Sequence, residues 1–151
     1  MATHLVPGDK APQFTGFDQD GNIFSLAGVL GKKVVLYFYP EDDTPTCTIQ
    51  ACNLRDNHTE LVQQGFMVIG ISPNDSGSHK KFVAKYELPF TLIADPERTI
   101  IDLYGVWGEK NLYGRKYLGL HRTTFVINED GTIEKVFRKP KNKAHAAEIL
   151  K

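Results

Sequence analysis

Apolar runs alternate with segments of helical periodicity along most of this chain. The segments "VVLYFY" (34–39) and "FMVIGIS" (66–72) are continuously apolar and rich in β-branched and aromatic residues, which is typical of strands buried on both faces. Between them, residues 45–64 have helical spacing and end at Gly65. The candidate core positions of this helix are Ile49, Leu54, Leu61 and Val62. A strand–helix–strand unit of this kind predicts two parallel strands joined by a right-handed connection.

The remaining pattern continues to mix helices and strands. The predicted elements are an N-terminal hairpin within 12–26, a helix within 72–88, a strand at 90–95, a short helix at 96–106 with Pro96 in its first turn, a hairpin formed by 123–127 and 132–137, and a terminal helix at 143–151. The capping candidates of the helix within 72–88 are Ser72, Asn74, Asp75 and Ser76, and its apolar positions are Phe82, Val83 and Tyr86. The glycine-rich segment 105–120 has no regular pattern, and we expect an ordered loop there. No repeat or linker divides the chain, which predicts one α/β domain over residues 1–151.

Composition narrows the possible functions. The 151 residues include 18 basic and 18 acidic side chains, and a formal net charge of zero argues against a general nucleic-acid binder. No apolar run approaches the ~20 residues that span a bilayer, so we expect no membrane partner. The first residues lack the basic and apolar pattern of a secretory signal. Two cysteines are too few for a disulfide scaffold, which favours a reducing compartment, most simply the cytoplasm.

The two cysteines, Cys47 and Cys52, are separated by five positions and follow a helix-start signal. Thr44 directly before Pro45 is typical of an N-cap and first helical residue, which places Cys47 in the first turn. Unpaired N–H groups and the helix dipole favour a thiolate there, and the thiolate is the nucleophile.

Three acidic residues at 41–43 oppose a thiolate at this place, so a cation is needed. Arg122 is the best candidate, because it begins a predicted strand that can lie beside the first buried strand. A lower pKa of Cys47 would increase the fraction present as thiolate but would also make that thiolate less nucleophilic. The net gain in reaction rate would therefore be only a few-fold. A fast reaction therefore also needs transition-state donors, such as Thr44 Oγ1, Arg122 and the first-turn N–H groups.

The five-residue spacing restricts how the two thiols can meet. In an intact helix it separates the Cα atoms of Cys47 and Cys52 by roughly 8–9 Å, whereas a disulfide needs about 7 Å or less. The spacing disfavours a permanent disulfide and suits one that forms when the first turns unwind. A metal site is disfavoured because zinc-type spacing is absent and the histidines are scattered. Two buried cysteines acting only as small apolar side chains remain an alternative.

These residues resemble a known family. Pro40, Thr44 and Cys47 carry the pattern P-x-x-x-T-x-x-C of peroxiredoxins. Together with "CTIQAC", "YGVWGEK", "HRTTFVI" and "NEDGTIEKVF", they resemble the bacterioferritin comigratory protein or peroxiredoxin Q branch, from about residue 5 to 138. The resemblance implies a thioredoxin-like fold, with a central mixed sheet flanked by helices and an N-terminal β-hairpin extension.

The resemblance also implies an activity, namely the reduction of hydrogen peroxide and organic hydroperoxides by thioredoxin or a similar dithiol. Cys47 would be the peroxidatic cysteine and Cys52 the resolving one. Thr44 and Arg122 would hold the peroxide oxygens and the thiolate, and Pro40 would shield the pocket. No metal, haem or flavin cofactor is implied, and we expect a monomer, with a weak dimer as the alternative.

Two positions depart from the usual pattern of this branch. Thr46 stands where glycine is common, and Gln50 stands where glutamate is usual. A charge lost near the helix start is worth roughly 0.3–1 kcal/mol, and neither change removes a reacting group. Two alternative functions remain. One is a disulfide oxidoreductase, although such an enzyme usually carries a C-x-x-C pair, which this sequence lacks. The other is a non-enzymatic thiol redox sensor or holdase.

Overall fold

The computed structural model of the protein describes residues 3–150, apart from the side chain of Leu112. The strands are β1 Thr15–Asp18, β2 Ile23–Ser25, β3 Lys33–Phe38, β4 Phe66–Ser72, β5 Thr91–Ala94, β6 Trp107–Leu112, β7 Arg115–Leu120, β8 Thr123–Ile127 and β9 Ile133–Phe137. The α-helices are α1 Pro45–Asp56, α2 His58–Gln63, α3 Ser76–Tyr86, α4 Thr99–Leu103 and α5 His145–Leu150, and a 3-10 turn covers Ala27–Val29. The predicted alternation of helices and strands is confirmed.

Strand β3 lies in the interior of a seven-stranded sheet with the order β2-β1-β5-β4-β3-β8-β9. It pairs in parallel with β4 and antiparallel with β8, so the predicted mixed sheet is confirmed. The predicted N-terminal hairpin is also confirmed, since β1 pairs with β2 and then joins the sheet antiparallel to β5. The parallel β3–β4 pair is the strand–helix–strand unit that the apolar pattern predicts.

The side chains of β3 point alternately to the two faces of the sheet and build two separate cores. Val34, Leu36 and Phe38 enter one apolar cluster, which also contains Tyr104 and Phe125. The other cluster covers the face where α1, α3 and α5 pack. Its members include Val35 and Tyr37 of β3, Tyr39 just after that strand, Cys47, Ala51 and Leu54 of α1, Phe82 of α3, and Ala146 and Ile149 of α5. Cys47 is therefore held in a packed core at the sheet surface.

The predicted single helix over 45–64 is wrong in one respect, because the chain breaks it at Asn57. Asn57 has φ −111° and ψ 12°, outside the helical region, and its side-chain amide donates to the carbonyl of Asn53. Of the expected core positions, Leu54 and Leu61 are fully buried. Ile49 and Val62 are 39% and 51% exposed, so their assignment to the core was wrong.

The exposure of Ile49 has a simple geometric reason. The buried positions of α1 are Cys47, Gln50, Ala51 and Leu54, which form an i, i+3, i+4, i+7 stripe. Ile49 lies two residues after Cys47 and so points to the opposite side of the helix. A polar residue, Gln50, takes the buried place that the apolar pattern assigns to its neighbour.

The segment 105–120 is not a loop, which corrects the expectation from its glycine content. β6 and β7 pair antiparallel from Trp107 opposite Leu120 to Leu112 opposite Arg115. The two connecting residues, Tyr113 and Gly114, both have positive φ, at 52° and 79°. Two such residues form the turn that matches the twist of a β-hairpin. Tyr-Gly is an unusual pair for this turn, and the sequence pattern therefore did not reveal the hairpin.

The helix predicted at 96–106 begins later than expected. Pro96 lies in a turn before α4, so its assignment to the first helical turn was wrong. Arg98 occupies the N-cap position with φ 61°, and the Asp95 carboxylate accepts the N–H of Ile101 at 2.7 Å. The turn at 96–98 lets this buried carboxylate reach the helix start. For α3, one of the four capping candidates is confirmed, since Asp75 accepts the N–H of Ser78.

The terminal helix is confirmed over His145–Leu150, and residue 151 lies outside the described residues. His145 is the first residue of α5 and is fully buried against β8. Its Nε2 lies 2.8 Å from Thr124 Oγ1, and its Nδ1 lies 3.0 Å from Glu148 Oε1. A neutral ring satisfies both partners, because Nδ1–H donates to the carboxylate and Nε2 accepts the hydroxyl proton. Within residues 3–150, no helix is long and apolar enough to cross a membrane.

We expect His145 to make the fold less stable in mild acid. Burial lowers its pKa below the ordinary value of 6.5, against a smaller opposing effect of Glu148. The unfolded chain therefore binds a proton on His145 at a higher pH than the folded chain does. The free energy of unfolding should fall as the pH drops below about 6.5, with a limiting slope of about 1.4 kcal/mol per pH unit for one proton. Urea unfolding across this range measures the slope.

His145→Gln is the control for this prediction, because it removes the titrating ring and leaves the rest of the chain unchanged. Its unfolding midpoint should depend less on pH than that of the wild type. An equal pH dependence in both proteins would show that another group is responsible.

Candidate active site

The candidate site lies at the carboxyl end of β3, where residues 40–44 lead into α1. Thr44 occupies the N-cap position with φ −90° and ψ 157°, and Pro45 begins the helix, as the sequence predicts. The Thr44 side chain makes no capping bond to the helix. Its hydroxyl donates instead to the carbonyl of Glu41 at 3.2 Å. The oxygen of this hydroxyl keeps lone pairs that can accept a proton from another molecule.

Cys47 lies in the first turn of α1 and is 1% exposed. Its sulfur accepts a hydrogen bond from Nη2 of Arg122 at 2.8 Å. Arg122 directly precedes β8, and the antiparallel pairing of β8 with β3 carries it to this end of the sheet. The structure thus places the predicted cation beside the predicted nucleophile, although 75 residues separate them in the chain.

Gln50 completes this arrangement in a way that the sequence did not reveal. It is fully buried, and its Oε1 accepts a hydrogen bond from Nη1 of Arg122 at 3.2 Å. Within the part of the chain that the structure describes, its Nε2 has no hydrogen-bond partner. The guanidinium is therefore held by two acceptors on one helix, Cys47 and Gln50. Their i, i+3 spacing is the signal that could have indicated this shared contact.

The acidic residues before the helix are engaged elsewhere, which changes the electrostatic picture. The Asp42 carboxylate is 4% exposed and lies 2.7 Å from Nδ1 of His79. Asp43 accepts hydrogen bonds from Lys85 and Tyr86, both at 2.7 Å, and the Lys85 bond lowers its pKa. Two of the three carboxylates expected to oppose a thiolate are thus paired with groups on α3.

Cys52 lies on the same helix as Cys47 and is half-buried, and both are free thiols. Because α1 is intact between them, their Cα atoms are roughly 8–9 Å apart. They cannot bond to each other while the helix keeps this form. Pro40 lies half-buried just after β3. Among the described residues, no group of three or more histidine, cysteine and acidic side chains is placed to hold a metal ion.

A thiol at a helix start whose sulfur accepts a hydrogen bond from an arginine is an arrangement found at nucleophilic cysteines. On a mixed sheet of this order, such a thiol is typical of the peroxiredoxins, a class of thiol peroxidase with a thioredoxin-like fold. The model of the AhpC/TSA family matches residues 7–136. The chain belongs to this family.

Individual relatives agree with this assignment. The chain is 48% identical over 143 residues to the protein bcp of Coxiella burnetii, covering 95% of both chains. It is 44% identical over 146 residues to peroxiredoxin Bcp of Escherichia coli (strain K12), covering 97% of this chain and 94% of that protein. A structure of the bacterioferritin comigratory protein of Xanthomonas campestris, studied for its alkyl peroxide reduction activity, matches with a TM-score of 0.86 and 29% identity. That match covers 99% of this chain and 95% of the other.

Proposed function

We propose that Cys47 reduces hydrogen peroxide and organic hydroperoxides, and that Cys52 then resolves the oxidised enzyme. The observation that carries the proposal is the 2.8 Å contact between Arg122 Nη2 and the buried sulfur of Cys47. Family membership supports a peroxide substrate, and the alkyl peroxide reduction studied in the Xanthomonas campestris relative supports organic hydroperoxides as part of the range.

In the first step, the Cys47 thiolate attacks the terminal oxygen of the hydroperoxide. The S–O bond forms as the O–O bond breaks, and the leaving alkoxide or hydroxide takes up a proton as alcohol or water. Cys47 becomes a sulfenic acid. Arg122 donates to the peroxide oxygens and stabilises the charge that moves onto the leaving oxygen.

Thr44 and Pro40 are assigned supporting roles in the same step. The Thr44 hydroxyl proton is directed to Glu41, so Thr44 Oγ1 can accept the proton of the incoming hydroperoxide. Pro40 carries no N–H group and lies half-buried just after β3, and its proposed role is to shield the reacting atoms from water.

In the second step, the Cys52 thiol attacks the sulfenic sulfur, forms a disulfide and releases water. This step requires α1 to unwind between the two cysteines, because in the intact helix their Cα atoms are roughly 8–9 Å apart. Unwinding also affects the C-terminal helix. The side chain of Asn53, next to Cys52, donates to the carbonyl of Lys143 at 3.0 Å and accepts the N–H of Ala146 at 2.8 Å. The start of α5 is thus tied to the segment that must move.

In the third step, a dithiol protein of the thioredoxin type reduces the disulfide and restores both thiols. Membership of the peroxiredoxins supports such a reductant. We place the cycle in the cytoplasm, because a reducing compartment supplies the dithiol and keeps both thiols free.

Cys52→Ser should separate the first step from the rest of the cycle. Because Cys52 does not contact the Cys47 sulfur in the folded helix, one equivalent of peroxide should still oxidise Cys47 at close to the wild-type rate. The sulfenic acid should then persist, because no internal thiol can attack its sulfur to form a disulfide. Turnover with thioredoxin should fall by roughly tenfold or more. Stopped-flow oxidation and a coupled thioredoxin assay measure the two steps.

Mass spectrometry of the peroxide-treated wild type provides the matching positive result, a disulfide between residues 47 and 52 that is absent from the variant. Full thioredoxin-driven turnover by Cys52→Ser would contradict the resolving role. Stoichiometric oxidation of the wild type that thioredoxin cannot reverse would instead favour a redox sensor over an enzyme.

A further inference from the structure

A buried polar cluster adjoins the candidate site but includes none of the reacting groups assigned above. Its centre is the Asp42 carboxylate, which accepts the hydroxyl of Tyr39 at 2.5 Å and that of Ser78 at 2.8 Å. The imidazole of His79 lies 2.7 Å away. The side chains of His79 and Asp42 are 0% and 4% exposed. A histidine and an aspartate this deeply buried require an explanation beyond packing.

The partners of His79 hold its ring from both sides. Nδ1 faces the Asp42 carboxyl group at 2.7 Å and the Tyr39 hydroxyl at 3.5 Å, and Nε2 lies 3.0 Å from the carbonyl oxygen of Ile93. The ring is therefore fixed in one orientation within the cluster.

The Asp42 side of the pair is held as firmly. Asp42 receives two hydroxyl groups as well as contacting the histidine. The Tyr39 hydroxyl remains a donor, because burial, followed by the nearby Tyr37 and Asp42, raises the pKa of Tyr39 well above its usual value. His79 and Asp42 thus form a buried, hydrogen-bonded pair between α3 and the loop that enters α1.

This hydrogen-bonded pair is connected to the peroxide site through the backbone. The N–H of Asp42 donates to Oδ1 of Asn74 at 2.9 Å, so both the main chain and the side chain of Asp42 are held. The residue before it, Glu41, provides the carbonyl that accepts the hydroxyl of Thr44. A displacement of Asp42 would therefore move the Glu41 carbonyl and rotate the Thr44 hydroxyl.

We propose that His79 is a positioning residue for peroxide reduction, which acts through Asp42 and the Glu41 carbonyl to orient the Thr44 hydroxyl. The inference rests on the proposed function of Cys47. It also gives the loop at 40–44 contacts to α3 that can persist while α1 unwinds, through Asp42 to His79 and through Asp43 to Lys85.

Removing the histidine should weaken the reaction with peroxide more than the later steps. A buried Asp42 side chain that loses its imidazole partner favours movement towards solvent, and a displacement of about 1 Å at a reacting group can cost about 10²-fold in rate. In His79→Gln, we expect the second-order rate constant for Cys47 oxidation to fall by about 10- to 100-fold. The rate of disulfide formation after oxidation should change little.

The matched control is His145→Gln, which removes the other fully buried histidine without touching the loop at 40–44. Stopped-flow oxidation by hydrogen peroxide and steady-state turnover with saturating thioredoxin are measured for both variants. His79→Gln should raise the KM for peroxide and leave kcat near the wild-type value, because later steps limit kcat. His145→Gln should leave the KM unchanged.

Asp42→Asn changes the other partner of the contact between His79 and Asp42. This variant also tests the proposal if His79→Gln does not fold. Its loss in rate should resemble that of His79→Gln, and the double variant should lose little more, because one contact cannot be removed twice. Additive losses would overturn the proposal. So would a fall in kcat at constant KM, which indicates only a smaller folded fraction.

The outcomes distinguish this inference from the proposed function. If wild-type Cys47 does not react with peroxide, the proposed function itself fails. If the wild type reacts and both His79→Gln and Asp42→Asn keep its rate constant, the positioning role alone is overturned.

Discussion

Cys47→Ser should lower peroxide consumption to the level of a protein-free control, a loss of more than about 10⁴-fold. The serine hydroxyl is far less acidic than a thiol and does not form a stable bond to a peroxide oxygen. The substitution nearly preserves volume, and the serine oxygen can still accept the hydrogen bond from Arg122. The loss should therefore reflect chemistry and not folding. Stopped-flow mixing with hydrogen peroxide measures it directly.

Two controls accompany Cys47→Ser. Its thermal unfolding midpoint should stay close to that of the wild type, because the buried site keeps its shape and its arginine contact. Cys52→Ser removes the other thiol and should retain the first reaction with peroxide. If Cys47→Ser still consumes peroxide and Cys52→Ser does not, the roles of the two cysteines are reversed.

Arg122→Met should lower the rate constant of Cys47 with peroxide by about 10²- to 10³-fold, the usual cost of losing one preorganised donor. The guanidinium contacts two acceptors at once, Cys47 Sγ at 2.8 Å and Gln50 Oε1 at 3.2 Å. Methionine fills a similar volume but donates no hydrogen bond, so both contacts are lost. Neither the Cys47 thiolate nor the negative charge that develops on the leaving oxygen of the peroxide is then stabilised by a cation.

Arg122→Lys should have an intermediate effect. Lysine keeps the charge, but an ammonium cannot reproduce the planar fork that reaches both acceptors. Arg138→Gln is the matched control, since Arg138 is an exposed arginine whose guanidinium donates to the carbonyls of Thr3 and Leu5. It should leave the peroxide rate unchanged. A wild-type rate in Arg122→Met would exclude the electrostatic role of the arginine.

The contact between Gln50 and Arg122 gives the departure from glutamate a structural meaning. A glutamate at this buried position would pair its charge with the guanidinium and compete with the Cys47 thiolate for it. Gln50 accepts a hydrogen bond without a formal charge. Of these two acceptors of Arg122, only the Cys47 sulfur can take on a full negative charge.

The parts of the fold that the sequence predicted are those governed by local rules. Continuous apolar runs identified β3 and β4, and Thr44 before Pro45 identified the start of α1. Errors arose where residues adopted a local conformation that their sequence pattern does not signal. Asn57 divides a helix that periodicity alone predicts as continuous, and the hairpin of β6 and β7 turns on Tyr113 and Gly114, which carry no usual turn signal.

The same division applies to the site. The sequence by itself determined that a cysteine lies at a helix start and that its partner is five residues further along, because helix geometry depends only on neighbouring residues. Only the tertiary structure decided which groups surround that cysteine. Arg122 reaches Cys47 across 75 residues, and His79 reaches Asp42 across 37. Such contacts depend on strand register and helix packing, which are properties of the whole folded chain and are not encoded in any short segment.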